Sequence, residues 1–89
     1  MLERELLVAN RLGLHARATA KLVQTLSGFR CHSTLSAKGR EVNAKSIMGV
    51  MLLAAGPGTP VLLRVDGEDE AAALEAAAAL FARHFDEGG

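Results

Sequence analysis

The chain of 89 residues carries ten basic and ten acidic side chains, has no net charge, and is 49% hydrophobic, with three phenylalanines as its only aromatics. That length supports one modest core, so residues 1–89 are expected to form a single domain. The charge balance makes no case for a nucleic-acid or membrane-surface protein.

In chain order, "LERELLVA" alternates enough to read as a first strand, and "NRLGLH" breaks the pattern. From Ala16, Thr19, Leu22, Val23 and Leu26 follow helical spacing, and Gly28 is placed to end that helix. "FRCHSTLSA" predicts a second strand, with Cys31, Ser33, Leu35 and Ala37 on one side. "KGR" reads as a hairpin turn into a short third strand, "REVNA". Ser46 then offers an N-cap hydroxyl to the short helix "IMGVMLLA". No charge occurs from Ser46 to Leu63, a length that suggests a membrane span, but Gly56, Pro57, Gly58 and Pro60 cut it into helix, loop and buried strand. The fourth strand is "PVLLRVD", and "GEDEAAALEAAAALFARHF" predicts a last helix with Leu74, Ala78, Phe81 and Phe85 on one face. The resulting order, β-α-β-β-α-β-α, implies an α/β (α+β) fold: a four-stranded antiparallel sheet covered on one face by three helices, a two-layer sandwich.

The charges are unevenly spread. Residues 1–64 hold nine basic and three acidic residues, and residues 65–89 hold one basic and seven acidic. Asp66, Glu68, Asp69 and Glu70 are expected near the start of the last helix, where its dipole favours them, and Arg83 and His84 suit its end. The basic half is either ordinary solvated surface or a docking face for acidic partners. Cys31 stands alone and His15, His32 and His84 are scattered, so neither an internal disulfide nor a metal site is expected. A reducing compartment fits, and the N-terminus lacks the apolar run of a signal peptide, which points to the cytoplasm.

"GLHARATA" holds the one constellation suited to chemistry. His15 falls at or just before the N-cap of the first helix, where free backbone N–H groups attract anions, and Arg17 adds a planar cation suited to phosphate or carboxylate oxygens. A neutral imidazole has a lone pair able to attack phosphorus, and the same donors would stabilise charge during phosphoryl transfer without a metal or other cofactor. By the residues alone the pair is weak evidence for such chemistry, and a histidine capping a surface helix is the simpler explanation.

"NRLGLHARATAKLV" together with "GREVNAKSIMGVMLLAAGPGTPVLLRVDGEDEAAAL" strongly resembles the histidine-containing phosphocarrier proteins, HPr, of the bacterial phosphotransferase system, over almost the whole chain. The resemblance implies an open-faced β-sandwich with sheet order 1-4-2-3. It implies that His15 accepts a phosphoryl group on Nδ1 from phospho-enzyme I, that Arg17 steadies it, and that it passes to a histidine on an enzyme IIA protein. It also implies that the chain is a monomeric carrier, a substrate of other enzymes more than an autonomous catalyst. One departure is Ala18, where the family commonly has proline; similar versions occur in its nitrogen-related branch, NPr.

Ser46 begins the second family block, "NAKSIMGVM". The resemblance implies regulation there, since many members are phosphorylated on the matching serine by a dedicated HPr kinase/phosphorylase. The following helix has more apolar residues than a core stripe requires: either all are core, or Ile47, Met48 and Met51 stay exposed as a partner-docking patch alongside Ala16 and Ala20. A second functional reading is a regulatory interaction module that binds a transcription factor or enzyme without transferring phosphate. A metal- or RNA-binding domain is excluded by the lack of CxxC, of a GxxG loop and of a stacking set of aromatics.

Overall fold

The computed structural model describes residues 1–87. The strands are β1 (Leu2–Leu7), β2 (His32–Ala37), β3 (Arg40–Asn43) and β4 (Pro60–Asp66); the helices are α1 (Ala16–Ser27), α2 (Ile47–Leu52) and α3 (Glu70–Ala82). The sheet runs β1-β4-β2-β3 and every pairing is antiparallel. Element order and the two-layer arrangement are those expected from the sequence pattern, and the sheet order is the one the family resemblance implies.

Period-two alternation sets the register. Val61, Leu63 and Val65 of β4 are buried on the helix side, with Ser33 opposite Val65 and Leu35 opposite Leu63. On the other face Arg64 reaches Glu3 at 3.1 Å and Glu41 at 3.4 Å, joining β1, β4 and β3 by charge where no layer covers them. Lys38 and Gly39 join β2 to β3 with φ of 55° and 77°, the two left-handed conformations of a tight type I′ hairpin. Helix α1 buries Ala18, Thr19, Leu22, Val23 and Leu26 and stops at Gly28. β4, β2 and α3 supply most of the remaining core, joined by Val50 of α2 and by loop residues such as Val8, Leu14 and Ala55, and the small Ala73 and Ala77 let α3 lie close on the sheet.

Two expectations at the acidic end are corrected. The last helix stops at Ala82, and His84, Phe85 and Asp86 turn back in left-handed conformation with φ of 53°, 55° and 61°. Ala78 is only half-buried and Arg83 bonds Asp86 at 2.9 Å instead of extending the helix. Three left-handed side chains in a row cost roughly 1–2 kcal/mol each. Opposing that cost, Phe85 becomes fully buried against Phe81, the ring centroids 4.8 Å apart in an edge arrangement, and its carbonyl accepts from Lys21 Nζ at 2.7 Å.

The second correction concerns the carboxylates before α3. Only Glu70 lies in the first turn of the helix, where it accepts from the Gly67 amide and the N-terminal amine. Asp66 ends β4 and pairs with that amine at 3.4 Å. Asp69, at the cap position, makes no cap bond. Its two oxygens accept from the amides of Arg30 at 2.7 Å and Cys31 at 2.9 Å, pinning the α1–β2 loop to the start of α3. Gly67 permits that approach, since a Cβ there would lie 2.8 Å from Cys31 Cα.

These amides, Arg30 first, hold the Asp69 carboxyl below its ordinary range. The stability they contribute is complete above the unfolded carboxylate pKa and is lost as pH falls through the depressed folded value. Asp69→Asn should therefore lower the urea midpoint at neutral pH, and its difference from the native chain should shrink on acidification.

Candidate functional site

The loop between β1 and α1 is fixed before the helix begins. Gly13 has φ +70°, and a Cβ there would lie 2.7 Å from both Ala55 O and Gly56 Cα. Glycine alone permits this approach. The next amide, Leu14 N–H, donates to Ala55 O at 2.9 Å, while Thr19 Oγ1 donates to Leu14 O at 3.1 Å. His15 follows in extended conformation as the N-cap of α1, and its carbonyl accepts the first helical bond, from Thr19 N–H at 2.9 Å. The amides of Ala16, Arg17 and Ala18 precede that bond and are free of helical acceptors. Ala18 itself is fully buried in this first turn.

The two nitrogens of His15 face different partners. Nδ1 accepts from the Arg17 amide at 3.3 Å, and Nε2 lies 2.6 Å from Glu87 Oε2. A backbone amide can only donate and an ionised carboxylate can only accept. Both contacts therefore seat the ring with hydrogen on Nε2 and the lone pair on Nδ1, at the start of α1. Glu87 Oε1 accepts from Asn10 Nδ2 at 2.9 Å, and the same Nδ2 donates to Gly13 O at 2.7 Å. The Glu87 carboxyl is held below its usual range, chiefly by Asn10 and then by His15 and Lys21.

His15 opens on a cleft of about 720 Å³ whose walls include Arg11, Arg17 and Lys21 together with Asp86 and Glu87. The basic excess of the first 64 residues is largely committed elsewhere. Arg4 and Arg64 pair with carboxylates, while Lys38, Arg40 and Lys45 donate to backbone carbonyls. Arg11 and Arg17 have no carboxylate partner among the described residues. The His15 ring, the start of α1 and guanidinium groups without a carboxylate partner among the described residues thus line one cleft, a seat for an anion beside a nucleophile.

Ser46 is the N-cap of α2, and its Oγ accepts from Gly49 N–H at 3.0 Å. Of the apolar residues in α2, only Val50 is buried; Ile47 is 45%, Met48 79% and Met51 44% exposed. Of the two readings of this helix, the one in which all its apolar residues are core is set aside, because six residues make too few turns to bury more than one side. Leu52 and Leu12 are also exposed, Ala16 is exposed, Ala20 is half-buried, and α1 and α2 are in contact.

Sequence reasoning brought His15 and Arg17 together but missed Asn10, Lys21 and Glu87. No local pattern marks Glu87, since it meets His15 across 72 positions and only after the left-handed turn beyond α3. The glycine at 13 offers a direct check of the seat. Gly13→Ala should destabilise the chain by roughly 1–3 kcal/mol in urea unfolding, through strained φ and a backbone clash, and should shift the His15 ring resonances.

Residues 2–83 match the family model described as "PTS HPr component phosphorylation site". The chain is 67% identical over 87 residues to the phosphocarrier protein HPr of Xylella fastidiosa, covering 98% of each, and 53% identical over 88 residues to that of Cupriavidus necator, covering 99% of each. It superposes on the crystal structure of HPr-C-His from Thermoanaerobacter tengcongensis with a TM-score of 0.97 at 39% identity, covering 100% of both chains. With whole-length likeness in sequence and fold, and a histidine seated at a helix start beside unpaired arginines, the chain belongs to the HPr family of phosphocarrier proteins of the phosphotransferase system.

Proposed function

We propose that His15 is the residue that carries the phosphoryl group: Nδ1 accepts it from phospho-enzyme I, which is charged by phosphoenolpyruvate, and gives it up to a histidine of an enzyme IIA protein. The observation that carries this reading is the ring's seating, with the Nδ1 lone pair turned to the start of α1 and the opposite nitrogen occupied by Glu87. The 3.3 Å bond from the Arg17 amide is long and readily exchanged for one to a phosphoryl oxygen. The exposed Arg17 guanidinium supplies a second, charged contact to the same group.

The chain acts in this reading as a monomeric cytoplasmic carrier, with chemistry divided between its own nucleophile and the donor and acceptor enzymes. No helix among the described residues is long and apolar enough to cross a membrane. The alternative of an interaction module without transfer gives the His15 seat no purpose. Incubation with phosphoenolpyruvate and enzyme I should give the native chain an acid-labile phosphate that His15→Ala does not acquire. Label persisting in His15→Ala would sink the assignment.

Ile47, Met48 and Met51, with Ala16 and Ala20, are the surface we assign to enzyme I and enzyme IIA docking. Their exposure on a short helix in contact with α1 supports it. Ser46 is the proposed control point, a substrate for an HPr kinase/phosphorylase. Phosphate on its Oγ adds about −1.5 to −2 charge at a helix start, where the helix tolerates it and an acidic partner does not. Ser46→Asp should keep the circular dichroism spectrum and slow phosphoryl transfer from enzyme I, whereas Ser46→Ala should cost about 1 kcal/mol of stability and leave that rate close to native.

A further inference from the structure

We propose that Glu87 is a positioning residue for phosphoryl transfer: its carboxylate holds the Nε2 hydrogen of His15, directs Nδ1 to phosphorus, and stabilises the positive ring formed when the N–P bond is made. The inference rests on His15 being the acceptor and concerns a different group, brought in from the opposite end of the chain.

Three observations carry it. The first is the 2.6 Å contact between Nε2 and Glu87 Oε2, in which both side chains are mostly shielded, at 29% and 13% exposure. The second is that Glu87 is itself oriented. Its other oxygen is held by Asn10, which is fully buried and whose Nδ2 is fixed by two acceptors. The tail carrying it is anchored by buried Phe85 and by the bond from Lys21 to the Phe85 carbonyl. The third is that Glu87 occupies the ring nitrogen opposite the one facing α1. It therefore does not compete with a phosphoryl group on Nδ1.

The electron count gives the carboxylate its work. In the forward step the Nδ1 lone pair forms the bond to phosphorus, and the bond from phosphorus to the donor breaks with its pair leaving on the donor atom. The hydrogen on Nε2 stays, so the neutral imidazole becomes a ring substituted at both nitrogens and bearing a positive charge. In the reverse sense the N–P pair returns to Nδ1 as the phosphoryl group passes to the next acceptor, and the ring is neutral again. A carboxylate already in place on Nε2–H favours the charged ring without solvent having to reorganise. It also sets the tautomer, as the buried carboxylate of a hydrolytic triad does for its histidine.

The other charged groups around the ring do not take this role. Arg11, Arg17 and Lys21 are cations suited to the phosphoryl oxygens, and Asp86 is engaged by Arg83 at 2.9 Å and Lys21 at 3.9 Å.

The test compares the full native chain with Glu87→Gln, Glu87→Ala and Glu75→Gln. The last removes a carboxylate that pairs with Arg4, away from the cleft. Nitrogen-15 NMR of the His15 ring reads the tautomer and the Nε2-bound hydrogen, and rapid mixing with phosphorylated enzyme I reads the transfer rate. The native ring should show a downfield, slowly exchanging hydrogen on Nε2. Glu87→Gln, which still accepts a hydrogen bond but lacks the charge, should move that resonance upfield and slow transfer by about 10-fold. Glu87→Ala should lose the resonance to solvent exchange and transfer more slowly still, while Glu75→Gln should match the native chain in both readouts. Native transfer rates and unchanged ring nitrogen shifts in Glu87→Ala would overturn the role of Glu87 and leave His15 as acceptor. A native chain that takes no phosphoryl group would overturn both.

Discussion

One buried amide holds the two ends of this molecule to the same point. Asn10 has no exposed surface, and its Nδ2 donates both to the Gly13 carbonyl and to the Glu87 carboxylate. The first bond shapes the loop that delivers His15 to the start of α1; the second fixes the carboxylate that meets the far side of the imidazole. A buried amide deprived of either acceptor would leave a desolvated donor, so loop and tail hold each other in place. The loop, the histidine and the tail carboxylate are thereby tied together although none of the three lies inside a strand or helix.

The sheet and helices exist, from the standpoint of the site, to bring those parts together. Helix α3 spans the sheet and ends close to α1, and the left-handed turn at residues 84–86 then sends the chain back. Burial of Phe85 opposes the backbone strain of that turn. A helix continuing through Phe85 would carry the following carboxylates onward along its own axis, away from His15. The unfavourable local conformation is thus coupled to a favourable distant contact, a common arrangement where backbone strain and function coincide.

Electrostatics divides the same way. A neutral chain with a basic front and an acidic rear suggests two opposed faces, yet Arg4 of the front pairs with Glu75 of the rear, Arg64 is engaged by Glu3 and Glu41, and Lys38, Arg40 and Lys45 donate to backbone carbonyls. Among the described residues the guanidinium groups of Arg11 and Arg17 have no carboxylate partner, and with Lys21 they give the cleft its positive potential. The positive character of the cleft therefore comes from which cations the fold leaves over, not from how many the chain contains.

The sequence by itself determined the order of strands and helices, the helix start at His15, the cap at Ser46 and the turn at Lys38–Gly39. All rest on residues within a few positions of one another: apolar period, capping side chains and glycine placement act locally and can be read locally. Resemblance over the two motif blocks carried the reading from an anion seat to a phosphocarrier, a step that charge and spacing could not make. Only the tertiary structure decided that the last helix breaks at Ala82, that Asp69 serves the α1–β2 loop instead of its own helix, and that Glu87 completes the histidine site. Each of these depends on a partner roughly 40 to 80 positions away, where no periodicity links the two residues and only packing of the core brings them within hydrogen-bond reach.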